Sequence, residues 1–160
     1  MTIEVGTKIP SVKIKQKTPE GVKDVSTDEY FAKKKVVVFG LPGAFTPTCS
    51  AKHLPGFIEK HSELKAKGVD KIACLSVNDA FVMEAWGKAQ GADGKVDMLA
   101  DGNGDLTRAL GLEMDATGYG MGKRSKRYAM VVDDGVVKWI AVEQPGQFEV
   151  SSAEAVLKAL

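Results

Sequence analysis

The sequence predicts an α/β fold, a mixed central β-sheet flanked by helices on both faces. Three observations carry that prediction. A hairpin signal opens the chain, short apolar runs then alternate with segments of helical spacing, and a second hairpin signal precedes a final helix. Strand–helix alternation lays parallel strands side by side under helices, and hairpins add antiparallel strands to the same sheet. The 160 residues hold no repeat, low-complexity segment or linker, so a single domain over 1–160 with one sizeable core is expected.

Each element has its own signal. Val12 and Ile14 alternate with Lys13 and Lys15, the pattern of a first strand. Thr18-Pro19-Glu20-Gly21 is a turn, and Val22 to Val25 return as the second arm of a hairpin. Ser26-Thr27-Asp28-Glu29 fits a capping box that starts a short helix through Phe31. Val36 to Gly40 is a continuous apolar run suited to a strand covered on both faces. Leu54, Phe57, Ile58, His61 and Leu64 recur at helical spacing, with Gly68 as the stop and Pro55 predicting a kink. Ile72 to Val77 reads as a second buried strand, and Asn78 or Asp79 caps a helix carrying Val82, Met83 and Trp86. Val96 to Ala100 gives a third strand, and Leu106, Ala109 and Leu110 suggest a short helix. Arg127 to Val132 and Val136 to Val142 flank Asp133-Asp134-Gly135, a hairpin signal. Ser151-Ser152-Ala153-Glu154 is a second capping box, opening a last helix with Ala155, Val156 and Leu160 apolar.

Composition narrows the function classes. Hydrophobic residues make up 44% and charged residues 27%, which excludes a disordered chain and a membrane-like one. With 22 Lys and Arg against 21 Asp and Glu the net charge is +1, against nucleic-acid binding as the main role. No apolar run is long enough for a transmembrane helix, and MTIEVGTKIP has neither the basic-then-apolar order of a secretory signal nor the Arg-rich character of a transit peptide. A cytoplasmic location is the expectation, an organellar form with its targeting segment removed being the alternative. Cys49 and Cys74 form no CxxC pair and no zinc spacing, and His53 and His61, the only histidines, are poorly placed for a metal site. A thiol is therefore the most reactive group in the chain.

Cys49 sits in GLPGAFTPTCS, at a strand-to-helix corner. If a helix starts near Thr48 or Cys49, its unpaired first-turn N–H groups and its dipole favour the thiolate, the form that attacks electrophiles. Pro42 and Pro47 remove backbone donors and stiffen the loop, and Thr46 can offer a hydroxyl to the thiolate or to a substrate oxygen. The competing reading is a small buried apolar residue, since free cysteines are among the most buried residue types. Local physics leaves both readings open.

The motif Pro42-x-x-x-Thr46-x-x-Cys49 resembles the PxxxTxxC active-site motif of peroxiredoxins. The longer stretch PGAFTPTCSAKHLPGF (42–57) is similar to the peroxiredoxin 5 or type II group, as are SVND (76–79), FVMEAW (81–86) and RSKRYAMVVDDG (124–135). The resemblance spans essentially the whole chain. Where the element order alone allows a thioredoxin-like sandwich or a small flavodoxin-like domain, the resemblance implies the thioredoxin-like fold. It implies that Cys49 is the peroxidatic cysteine, which attacks a peroxide and becomes a sulfenic acid. It implies that Thr46 hydrogen-bonds thiolate and peroxide, that Pro42 shapes the pocket, and that Arg127 polarises the peroxide from a distant strand. Backbone N–H groups of Cys49 and of Ala44 or its neighbours are expected as further donors, in the manner of an oxyanion hole.

Arg124 is the rival for the arginine role, either supporting the site or meeting an anionic reductant. Cys74, between Ala73 and Leu75, reads as buried filler, or by resemblance as the cysteine that resolves the sulfenic acid; that pairing would require the Cys49 helix turn to unravel. Otherwise an external thiol, glutathione with glutaredoxin or thioredoxin, resets the enzyme. His53, one helical turn beyond Cys49, reads as a structural hydrogen-bonding residue, not a general base. Phe45, Leu112, Met114 and Phe148 are candidate apolar walls, and Gly118 to Gly122 a flexible loop near the site. The whole implies a cytoplasmic thiol peroxidase reducing hydrogen peroxide and small organic hydroperoxides, needing no cofactor or metal, and packed as a homodimer. The opposing classes are a redox-signalling module with Cys49 as its sensor and a thiol–disulfide oxidoreductase, the latter weakened by the missing CxxC.

Overall fold

The computed structural model describes residues 1–160. The opening hairpin pairs β1 (Lys13–Thr18) with β2 (Gly21–Ser26), and α1 (Thr27–Phe31) follows. The apolar run forms β3 (Lys35–Leu41), in which every residue from Val36 onward is buried. After the Cys49 corner come α2 (Leu54–Glu59), α3 (His61–Ala66), β4 (Lys71–Ser76), α4 (Ala80–Gln90), β5 (Asp97–Ala100) and α5 (Asp105–Ala109). A small hairpin, β6 (Glu113–Asp115) and β7 (Lys123–Ser125), precedes β8 (Tyr128–Asp133), β9 (Val136–Val142) and α6 (Ala153–Ala159).

Seven strands form one sheet in the order β2-β1-β5-β4-β3-β8-β9. Strands β3, β4 and β5 are parallel, while β8 runs antiparallel to β3 and β1 antiparallel to β5. The antiparallel neighbour of β3 removes the flavodoxin-like alternative and leaves the mixed, thioredoxin-like sheet. Alternation along the strands sends side chains to opposite faces. Val37, Phe39, Cys74, Ala129 and Val131 meet Leu54, Phe57, Met83, Trp86 and Val156 of the helices on one face. Val36, Val38, Leu75, Met130 and Val132 meet Phe31, Leu106 and Leu110 on the other. Both layers are apolar, and the Phe39 and Phe57 rings stack with centroids 4.1 Å apart. Such pairing adds about 0.5–1.5 kcal/mol to the area buried.

Three expectations are corrected. Ser26 makes no side-chain cap; Thr27 holds that corner instead, its hydroxyl donating to Pro10 O and accepting from the Val12 N–H. The final cap is Ser152, which accepts the Ala155 N–H at 3.1 Å, while Ser151 is engaged by Glu143. The expected helix from Leu54 to Gly68 is two helices parted at Lys60 (φ −90°), preceded by a π-turn over Cys49–His53. Pro55 offers no N–H to that ladder, and the Leu54 N–H bonds the Cys49 carbonyl, the wide spacing that defines a π-turn. The expected loop 118–122 belongs to the connection of the β6–β7 hairpin, where Gly120 and Gly122 take left-handed φ of 72° and 67°. No helix is long and apolar enough to cross a membrane.

Candidate active site

Strand β3 ends at Leu41 and the chain turns through Pro42 to Thr46 before helical conformation begins at Pro47. Proline suits the first helical position, where its missing N–H costs nothing. Thr46 accepts the Ser50 N–H through its carbonyl at 2.9 Å, so Cys49 lies in the first turn. The π-turn begins at Cys49 and turns His53 inward on the same stretch; both residues are fully buried. Phe45 takes φ 62° at the corner, a conformation that bulky residues adopt at about 1–3 kcal/mol of strain.

Arg127 reaches this corner from the residue before β8. Its Nη2 donates to Cys49 Sγ at 3.3 Å and its Nη1 to His53 Nδ1 at 2.9 Å. A guanidinium has no acceptor, so Nδ1 must carry the lone pair, and the His53 proton sits on Nε2, donating to Ser151 O at 2.9 Å. Burial, and then the positive charge of Arg127, pushes the His53 pKa down to about 3. His53 is thus a neutral link between two backbone segments and the arginine. The structural reading of His53 holds geometrically, with a partner the sequence did not name.

The other proposed residues are distributed unequally. Arg124 lies on β7 and donates to Met121 O at 2.9 Å and Pro42 O at 3.5 Å, bracing the corner while Arg127 takes the sulfur. A side chain at Gly43 would meet Arg124 Nη1 at 3.2 Å, so the loop and this brace are in close contact. The Thr46 hydroxyl donates to Gly43 O at 2.7 Å, which leaves its oxygen lone pairs as acceptors. The Ala44 N–H, expected as a substrate donor, is bound by Asn78 Oδ1 at 3.0 Å, and Ser76 holds that asparagine in turn. Phe148 packs on both Arg127 and His53, at 6.0 Å and 5.1 Å. Phe45 is exposed and faces Trp86 at 6.5 Å. Leu112 is not a wall of this site, because it belongs to the core on the opposite face of the sheet, and Met114 lies half-buried on β6.

Cys74 lies on β4 between Phe39 and Met98, fully buried in the same apolar layer as Cys49. Burial first, and the neighbouring Cys49 second, raise its pKa well above the ordinary thiol value. Both cysteines are free thiols. No cluster of three His, Cys, Asp or Glu side chains is placed to hold a metal. Sequence reasoning missed Asn78 as a backbone clamp, Ser50 as the acceptor of Trp86 Nε1–H at 3.0 Å, and Glu143. Only the buried position of Glu143 distinguishes it, and no pattern along β9 announces that.

Comparison with known proteins places the chain in a family. The Redoxin family matches residues 4–157. Peroxiredoxin-2E-2, chloroplastic, of Oryza sativa subsp. japonica is 56% identical over 99% of this chain and 73% of its own length. Peroxiredoxin-2B of Arabidopsis thaliana is 58% identical over 81% of this chain and 80% of its own. The crystal structure of reduced Prx3 in complex with H2O2 from Vibrio vulnificus superposes with a TM-score of 0.96 at 55% identity, covering 99% of both chains. Peroxiredoxin 5 from Alvinella pompejana does so with a TM-score of 0.86 at 36% identity, covering 98% of this chain and 97% of that one. The chain therefore belongs to the Redoxin family and is a peroxiredoxin, a thiol-dependent peroxidase of thioredoxin-like fold consistent with the type II or peroxiredoxin 5 group.

Proposed function

We propose that Cys49 is the peroxidatic cysteine, that hydrogen peroxide and small organic hydroperoxides are its substrates, and that an external thiol restores it. The observation that carries this reading is the Arg127 Nη2 contact of 3.3 Å to the buried Cys49 sulfur. A fixed cation beside the sulfur orients it and, in a site closed to water, stabilises charge on the departing oxygen. Thr46, its proton held by Gly43 O, presents lone pairs to the peroxide O–H. The thiolate attacks the terminal oxygen, the O–O bond breaks, and an S–O bond forms. The leaving alkoxide or hydroxide takes a proton, giving alcohol or water and a sulfenic acid on Cys49. An incoming thiol then displaces the sulfenic oxygen as water and forms a mixed disulfide, and a second thiol releases Cys49.

Complete burial of Cys74 and its raised pKa favour an external reductant, glutathione with glutaredoxin or thioredoxin, over a Cys49–Cys74 disulfide. The cytoplasm is the proposed compartment, where the thiol pools kept reduced there can recycle Cys49. A homodimer is proposed from exposed Phe45, Phe81 and Tyr119, large apolar side chains that a second copy would cover. Peroxide consumption with glutathione and glutaredoxin, and separately with thioredoxin, tests the assignment. Sustained turnover lost in Cys49→Ser supports it. Turnover surviving in that variant would move the reaction off Cys49, and stoichiometric oxidation without turnover with either reductant would leave Cys49 a sensor.

A further inference from the structure

Residues 143–151 form a loop closed on itself by one carboxylate. Glu143 follows β9 and is buried, and its Oε2 accepts the N–H groups of Glu149, Val150 and Ser151 at 2.8 Å each. The Ser151 hydroxyl donates to the same oxygen at 2.7 Å. Four donors on one carboxylate oxygen are more than a loop needs to stay folded, and the residues they fix have a destination. Ser151 O receives the His53 Nε2–H, and Phe148 packs against both His53 and Arg127. The Glu143 N–H also donates to Arg127 O at 2.9 Å, which ties the start of the loop to the arginine's own backbone.

We propose that the loop closed by Glu143 is a positioning brace for Arg127, acting through Ser151 O and His53. This rests on the reading of Arg127 and Cys49 given above. The logic is one of tautomers. His53 can accept from Arg127 only while its proton stays on Nε2, and two contacts hold it there: the Arg127 N–H at Nδ1 and Ser151 O, set by Glu143, at Nε2. Loosening the loop lets the proton move to Nδ1, which then faces the guanidinium as a second donor and turns it away from Cys49. Glu143 touches neither sulfur nor substrate, so it is a positioning residue.

Long-range proton–nitrogen NMR of the imidazole rings reads the His53 tautomer without reference to peroxidase activity. With only two histidines, His61→Gln assigns the signals. Stopped-flow measurement gives the second-order rate constant of Cys49 with hydrogen peroxide, and thermal unfolding shows whether each variant is folded. Wild type is expected to show a single Nε2–H tautomer. Glu143→Ala is expected to show mixed tautomers and a rate constant about tenfold lower, the loss of one charge-assisted hydrogen bond at the sulfur. Glu143→Gln keeps an acceptor oxygen and should retain the tautomer, with a rate constant within about threefold of wild type. If Glu143→Ala does not fold, Glu143→Asp, which withdraws the carboxylate by one methylene, takes its place under the same readouts. A folded Glu143→Ala, or Glu143→Asp in its place, with wild-type tautomer and rate constant overturns the brace. A wild type that shows the tautomer but no reaction at Cys49 overturns the peroxidatic reading instead.

Discussion

His53 should make this protein acid-sensitive in a window that its surroundings define. The folded ring titrates near 3 because burial and Arg127 oppose its charged form, against 6.5 in an unfolded chain. Between those values the unfolded state binds the extra proton, so stability rises with pH there and is lost as pH falls. The slope is about 1.4 kcal/mol per pH unit, and integrating from pH 7 to pH 5 gives a loss of about 2 kcal/mol. At pH 5 the folded form is neutral for any folded value below about 4, so the figure depends almost entirely on the unfolded state. Urea unfolding at both pH values and one protein concentration, followed by tryptophan fluorescence, measures it. His53→Asn keeps an acceptor toward Arg127 and cannot titrate, so it should reduce the difference between pH 7 and pH 5 by about 2 kcal/mol whatever its own stability. His61, whose pKa burial and then Lys65 and Lys95 also lower, contributes with the same sign and is controlled by His61→Gln. A reduction in His53→Asn of less than about 0.5 kcal/mol would refute the argument, because it would mean that folded His53 binds a proton as readily as the free residue does.

Arg127→Ala should lower the rate constant with peroxide by roughly 10–100-fold, the range for a hydrogen bond to a charged group, and Arg124→Ala by less than about threefold because it touches only loop carbonyls. The reverse order in stopped flow would assign the role to Arg124. Intact mass after one equivalent of peroxide decides the fate of Cys74: a sulfenic acid in both wild type and Cys74→Ser is expected, and loss of two hydrogens in wild type alone would make Cys74 the resolving residue. Gly40→Ala would place its Cβ 2.0 Å from the Tyr128 ring. Overpacking of that kind should cost about 1–3 kcal/mol, or roughly 3–10 °C in Tm, whereas a glycine that merely weakens its strand would give a small gain with alanine.

The strands read correctly where one physical cause dominates. Val36 to Gly40 and Ile72 to Leu75 are apolar because both their faces are covered, and that pattern survives in any structure that buries them. The cap at Ser26 and the single helix kinked at Pro55 differ from the structure because several local solutions compete there. Ser26 lost its corner to Thr27, which reaches Pro10 and Val12 across the chain. Around Pro55, the missing N–H permitted a kink, and burial of Cys49 and His53 goes with a π-turn in its place.

What the sequence offered by itself was the candidate reactive atom: a thiol at a strand-to-helix corner, with Pro42 and Thr46 in a motif that resembles the peroxiredoxin one and two candidate arginines far downstream. Local chemistry left a reactive thiol and a buried filler both open, and the resemblance of the motif favoured the thiol. Only the tertiary structure decided which arginine meets the sulfur, since Arg124 and Arg127 are three residues apart and differ in nothing but their strand and face. It alone decided that His53 is neutral, that the Ala44 N–H is taken by Asn78, and that Glu143 closes the loop behind Arg127. The Glu143 contacts close a local loop, but those of Asn78 with Ala44 and of His53 with Arg127 and Ser151 join residues 34 to 98 positions apart in the chain. A one-dimensional pattern carries no term for such distances; the hydrogen-bond geometry of the folded sheet does.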